Sequence, residues 1–130
     1  MNKPDSDLLH NQQYKQGDTL YRNGDFRAAV KEFEAALETR PNDFDTLWAI
    51  GDCYLKLGKA DMAEQFYRKA LTVCPDNKRD VIIYNIGNSL FDQMKYKEAI
   101  EQYKNISKQS SIYKKAKKNI NVAQRKIERY

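Results

Sequence analysis

Histidine occurs once in these 130 residues, cysteine twice, proline three times and glycine five times. Each scarcity closes off a class of protein. With His10 as the only imidazole, set in a polar stretch and expected to face solvent, multi-histidine metal sites and histidine acid–base chemistry have no basis. Cys53 and Cys74 fit neither a CxxC spacing nor a disulfide framework, so both are expected to be reduced thiols used as packing residues. So little Gly and Pro leaves too few turns for an all-β fold. No run of ten apolar residues occurs, which excludes a membrane span, and the opening MNKPDSDLLHNQQ lacks the apolar segment of a signal peptide. The expected compartment is the cytoplasm. No glycine-rich phosphate loop, nucleophile elbow or paired-cysteine ligand set is present, and the acidic pair Asp61 and Glu64 sits on an outer helix face. Neither enzymatic activity, nor a cofactor, nor a metal is expected.

What the chain does have is charge, at 32% of its residues, and an uneven distribution of it. The net charge is +5, yet from Ile112 to Tyr130 seven basic residues face one acid, Glu128, a local balance of +6. The remainder is nearly neutral. A neutral body with one basic terminal helix does not make nucleic acid the expected partner.

Self-similarity is the strongest signal. Gly17, Ala29 and Pro41 recur as Gly51, Ala63 and Pro75, each 34 residues on, together with Leu20/Tyr54, Gly24/Gly58, Phe33/Tyr67 and Ala36/Ala70. A third unit follows after 36 residues with Gly87, Leu90, Ala99, Tyr103 and Ile106, the two extra residues falling within Asp76–Asp80. In each unit, apolar residues recur at helical spacing in two blocks separated by a breaker, which predicts a helical hairpin. Small residues at Gly51, Ala63 and Ala70 allow the backbones to approach, while Pro41 and Pro75 stop the second helices. Asn42–Asp43 and Asp76–Asn77 are placed to cap the helices that follow. Helices are predicted near 7–22, 26–39, 44–57, 60–73, 80–93, 96–109 and 112–128. The seventh carries Ile112, Ala116, Ile120, Ala123 and Ile127 on one stripe, with Ser110 and Ser111 as its N-caps.

The pattern Gly–x2–Leu/Tyr, Ala–x3–Phe/Tyr–x2–Ala and a closing Pro in units of 34 residues resembles the tetratricopeptide repeat. The resemblance implies an all-α, right-handed superhelical stack of hairpins. Its expected organisation is an N-terminal extension (1–7), three repeats over 8–111 (about 10–43, 44–77 and 80–111) and a basic amphipathic capping helix at 112–130. The third repeat departs most: Met94 stands where Gly24 and Gly58 stand in the others, and Ser111 replaces the proline, so its turn is expected to be looser.

By the same resemblance, first helices line a concave groove. Counting i, i+4, i+7 gives Tyr14–Asp18–Tyr21, Trp48–Asp52–Leu55 and Tyr84–Asn88–Phe91, each led by an aromatic. Rings bury area at low entropic cost while Asp and Asn meet peptide N–H groups, so these residues, together with Asn85, are the expected peptide-binding set. The other reading is that they pack between neighbouring first helices, or hold residues 1–10 folded back into the groove. Of the positions matching the family's clamp for chaperone C-terminal tails, only Asn85 agrees, so no such clamp is expected. Asp18, Asp45, Asp52 and Asp92 set against Lys15, Arg22 and Lys56 suggest a partner of mixed or mildly basic character. The expected function is a protein–protein interaction adaptor that binds a protein or peptide segment, as a monomer or weak homodimer. The alternative is a basic, self-associating structural protein in which the helix at 112–128, through Lys114, Lys115 and Lys118, contacts an acidic surface or nucleic acid.

Overall fold

The computed structural model describes residues 3–129, with side chains from Asp5 onward, and contains seven α-helices with no strand among the described residues. They are α1 (Lys3–Arg22), α2 (Phe26–Thr39), α3 (Phe44–Lys56), α4 (Ala60–Thr72), α5 (Arg79–Asp92), α6 (Tyr96–Lys104) and α7 (Tyr113–Glu128). The chain divides into two compact units, residues 1–73 with α1–α4 and residues 74–130 with α5–α7.

The first unit is built on a close approach between helices. At Gly51 on α3 an added Cβ would lie 2.6 Å from the Tyr67 ring of α4, so only a residue without a side chain lets that ring lie flat across the helix. Gly17 stands in the same relation to Phe33, at 2.8 Å. Tyr67 and Phe33 are both fully buried as a result. Ala29, Val30 and Phe33 of α2 meet Ile50 and Cys53 of α3, joining the two hairpins into one core flanked by Tyr14, Leu20 and Tyr54. In the second unit a Cβ added at Gly87 would likewise collide with the Tyr103 ring, and α7 packs on α6 with Ala116 and Ala123 buried. Ile112, Ile120 and Ile127 of the predicted stripe are half-buried.

Several local expectations are corrected. Helix α1 starts at Lys3, so the described part of 1–10 is a regular helix rather than a segment folded back on the groove. His10 is buried, at 3% exposure. Its Nδ1–H donates to the Ala36 carbonyl of α2 at 2.8 Å, and Nε2 lies 3.5 Å from the Asp43 carboxylate. Asp43 caps α3 as expected, accepting from the Thr46 N–H at 3.1 Å, but Asp76 and Asn77 do not cap α5. They form instead a 3₁₀ turn, Asp76–Lys78, which takes up the two extra residues between the second and third units. Helix α6 ends at Lys104, five residues short, because Asn105 and the Ser-rich run after it form turns in which Ser107 accepts from the Gln109 N–H. Ser110 accepts from the Ile112 N–H, so Ile112 and not a serine stands at the N-cap of α7. Cys53 is buried, whereas Cys74 is half-exposed in the loop after α4 and outside the core. The third turn is not loose: Met94 N–H bonds Phe91 O at 2.9 Å, matching Gly24 to Tyr21 and Gly58 to Leu55.

The steric constraint is testable. Alanine at Gly51 gains about 1 kcal/mol of helix propensity but must displace Tyr67, whose hydroxyl is held by Asp52 at 2.6 Å. Gly51→Ala is expected to lose a net 1–3 kcal/mol, roughly, in urea denaturation. Gly17→Ala is expected to lose less, since Phe33 has no hydroxyl to anchor it. Equal losses at the two sites, or a gain at Gly51, would contradict the account.

Candidate functional site

The first triplet and most of the second converge. Tyr14, Asp18 and Tyr21 of α1 and Trp48 and Asp52 of α3 are half-buried and surround a cleft of about 190 Å³, closed by Phe33 of α2 and by Asp45 and Ala49 of α3. Helical spacing puts each triplet on one face, and the packing of α2 against both α1 and α3 brings the faces together. The walls are aromatic and braced: Tyr14 packs on Phe33 with ring centres 5.3 Å apart, Tyr21 on Phe26 at 5.3 Å and Trp48 on Phe44 at 5.5 Å. Leu55 is half-buried but does not line this cleft.

The cleft is electronegative. Asp18, Asp45 and Asp52 line it with no cationic side chain among the lining residues. Burial, followed by the nearby carboxylates of Asp45, Asp18, Asp43 and Asp52, pushes the Tyr14 hydroxyl up to about 12. Asp18 is paired with the exposed Arg22 at 2.9 Å, and Asp45 is exposed with no ion pair among the described residues. Asp52 is the most enclosed of the three, and burial raises its pKa above the usual carboxylate range against the opposing pull of the Tyr67 hydroxyl and Lys56. Its bond to Tyr67 has a counterpart in the second unit, where Tyr103 donates to Asn88 at 2.5 Å. Phe33 has no hydroxyl to donate, which leaves Asp18 free to turn to Arg22.

The third triplet is divided. Asn88 and Phe91, with Asp92, Tyr103 and Asn119, line a cleft of about 200 Å³ in the second unit. Burial raises the Asp92 carboxyl above its ordinary value. Tyr84 does not line that cleft. Its hydroxyl accepts from Asn119 Nδ2 of α7 at 3.2 Å, and the same amide reaches Asn88 Oδ1 at 3.2 Å. Asn85 is half-buried on α5 and outside both clefts. Lys114, Lys115 and Lys118 are exposed along the first half of α7. Asn119 was not anticipated from the sequence. Its one signal is an amide on a face of α7 otherwise given to isoleucine and alanine, adjoining Ile120. His10 was missed as well, although 10, 14, 17 and 21 fall on one helical stripe.

Among the described residues no three His, Cys, Asp or Glu side chains are grouped to hold a metal ion, and no helix is long and apolar enough to cross a membrane.

The family model described as Tetratricopeptide repeat matches residues 14–78. The human Superkiller complex protein 3 is 32% identical over 100 residues, covering 75% of this chain and 6% of that protein. The chain thus spans a small fraction of that relative's length. Among solved structures, the Yersinia enterocolitica type III secretion chaperone SycD in complex with a peptide of the translocator YopD aligns with a TM-score of 0.80 at 20% identity, over 96% of this chain and 98% of that one. The second TPR domain of human RPAP3, in complex with the HSP70 peptide SGPTIEEVD, aligns at 0.79 and 13% identity over 92% and 98%. Identities this low show likeness of fold.

The raised Asp52 pKa has a consequence for stability. Because the folded state holds the Asp52 proton more tightly than the unfolded chain, its favourable contribution is present at low pH and is lost as pH rises through the folded value. Asp52→Asn keeps an acceptor for Tyr67, as Asn88 does for Tyr103, and removes the buried charge. The variant is expected to unfold at higher urea than wild type near about pH 7, with the difference closing toward about pH 3. A wild type that is the more stable protein at neutral pH would show that the Tyr67 and Lys56 interactions outweigh burial.

Proposed function

The chain belongs to the tetratricopeptide-repeat family, and from that premise we propose that it is a non-enzymatic protein–protein interaction adaptor whose binding site for a peptide segment is the cleft between α1 and α3. The observation that carries this reading is the pairing of braced aromatic walls with three carboxylates in one concavity. Tyr14, Tyr21 and Trp48 offer rigid area for an apolar or cationic side chain, and Asp18, Asp45 and Asp52 offer acceptors for its charge or for peptide N–H groups. That two structures of like fold hold peptides supports a peptide as the occupant.

The charge selects the peptide. A lysine or arginine beside an apolar residue satisfies the cleft, whereas a terminal carboxylate or glutamate run is repelled by it. The reading therefore excludes an acidic peptide such as the SGPTIEEVD held by the RPAP3 domain. In the second unit Asn88, Phe91 and Asp92 line a separate cleft of similar character at lower charge, with Tyr84 held beside it by Asn119.

The test is a synthetic peptide array probed with the full chain at moderate salt. Bound peptides are expected to be enriched in Lys or Arg next to an aromatic or aliphatic residue, with SGPTIEEVD no better than its scrambled form. Trp48→Ala and Asp45→Asn, each shown to be folded by circular dichroism, are expected to weaken the selected peptide by roughly tenfold. Selection of acidic peptides, or full binding by folded Trp48→Ala, would place the site elsewhere.

A further inference from the structure

The three hairpin turns are built alike, and one of them carries a residue that its backbone disfavours. Gly24, Gly58 and Met94 each donate N–H to a carbonyl three residues back, and the next residue in each turn donates to a carbonyl five back, at 2.9 Å in all three. Their φ angles are +83°, +75° and +63°, in the left-handed region. Around Gly24 and Gly58 a Cβ would meet nothing, so those turns need glycine for its backbone freedom and not for space. Methionine accepts that conformation only at a cost, and at 75% exposure its side chain recovers nothing by burial. Neither packing nor local propensity explains Met94.

Its surroundings do. Met94 forms one wall of a cavity of about 550 Å³ in the second unit, completed by Tyr96 and Lys97 at the start of α6 and by Lys126 and Ile127 at the end of α7. The Tyr96 ring is fixed edge-on against Phe91, with centres 5.2 Å apart. Two ammonium groups and no carboxylate line the cavity, the reverse of the cleft between α1 and α3. Arg125 and Arg129 continue the positive charge into an adjoining depression that also contains Val122 and Lys126.

We propose that this cavity is a second docking site, for a partner protein segment that inserts a large apolar side chain flanked by carboxylates. Met94, Tyr96 and Ile127 receive the apolar group, and Met94, unbranched and polarisable, adapts to its shape. Lys97 and Lys126 pair with the flanking acids. A concavity lined by apolar and cationic side chains together suits an inserted side chain better than the plane of a membrane. The site is independent of the peptide cleft in the first unit and accepts the opposite charge.

The experiment uses the full chain with ¹³C-methyl methionine and three probes: a synthetic peptide with Leu-Phe at its centre and glutamates on both sides, the same peptide with lysines in place of glutamates, and phosphatidylserine vesicles. The glutamate peptide is expected to shift the Met94 methyl resonance and leave that of Met62 unmoved, and the lysine peptide to bind roughly tenfold more weakly or worse. Lys97→Glu and Lys126→Glu are each expected to weaken the glutamate peptide by about tenfold, and Trp48→Ala to leave it unchanged. Met94→Gly supplies the discriminating result: melting should rise by roughly 2–4 °C as the strain is relieved, while binding of the glutamate peptide falls by about tenfold. A Met94 methyl unmoved at millimolar glutamate peptide overturns the proposal. So does equal binding of the lysine peptide, a Met94 shift caused by vesicles alone, or a loss of stability in Met94→Gly, which would make the methionine structural.

Discussion

The contact between a glycine on a first helix and an aromatic ring on the second governs this fold. With an added Cβ at 2.4 to 2.8 Å from the ring in every hairpin, no other residue allows the same interhelical distance. The ring must then lie flat over the glycine, which buries it and aims its para position past the first helix. A packing constraint in the core thereby sets which polar groups meet at the surface. Where the ring is tyrosine, its hydroxyl reaches the residue that follows the glycine, Asp52 or Asn88. Where it is Phe33, the equivalent Asp18 has no such donor and pairs with Arg22.

That dependence explains why repeats sharing one backbone plan differ in what their surfaces offer. Asp52 is enclosed and held by the core, with its charge raised in cost by burial, while Asp18 and Asp45 stay accessible. In the second unit the corresponding Asn88 is shared between Tyr103 and Asn119, so α7 contributes an amide to the polar network that the glycine–tyrosine contact began. Triplets with matching sequence spacing therefore end in different environments, because the hydrogen-bond partners come from helices the spacing does not see.

The same reasoning accounts for how far the sequence could be read. Glycine, alanine and proline at a fixed 34-residue period report sterics and backbone geometry, which are local, so helix order and most boundaries follow from them. Tyr14, Asp18, Tyr21, Trp48 and Asp52 line one cleft, and their sharing of helix faces follows from the helical period alone. What escaped depends on tertiary partners or on competing local bonds. His10 looks exposed in a polar segment until the Ala36 carbonyl, 26 residues away, is seen to accept a hydrogen bond from its ring N–H. Asp76 has the chemistry of a cap, but the two-residue insertion turns it into a 3₁₀ turn instead. Ser107 and Ser110 bond their own neighbours, and α6 ends early for that reason.

Net charge is a poor guide to what such a chain binds, because it averages surfaces of opposite sign. The segment 112–130 alone carries +6 against a net +5, the remainder being slightly negative, while the cleft between α1 and α3 has only carboxylates among its charged lining residues. Over distances beyond about 8–10 Å in physiological salt, exposed charges are screened, so a bound segment senses the few groups lining its own concavity and not the total. Clefts within the separate units can then differ in sign without either cancelling the other. In a repeat protein this is an economical route to diversity: the glycine, alanine and aromatic positions are committed to stacking, and the residues one step around each helix vary at little cost to the fold. The identity of the chain as a repeat is thus written in the residues that pack, and whatever selectivity it has must be written in the others.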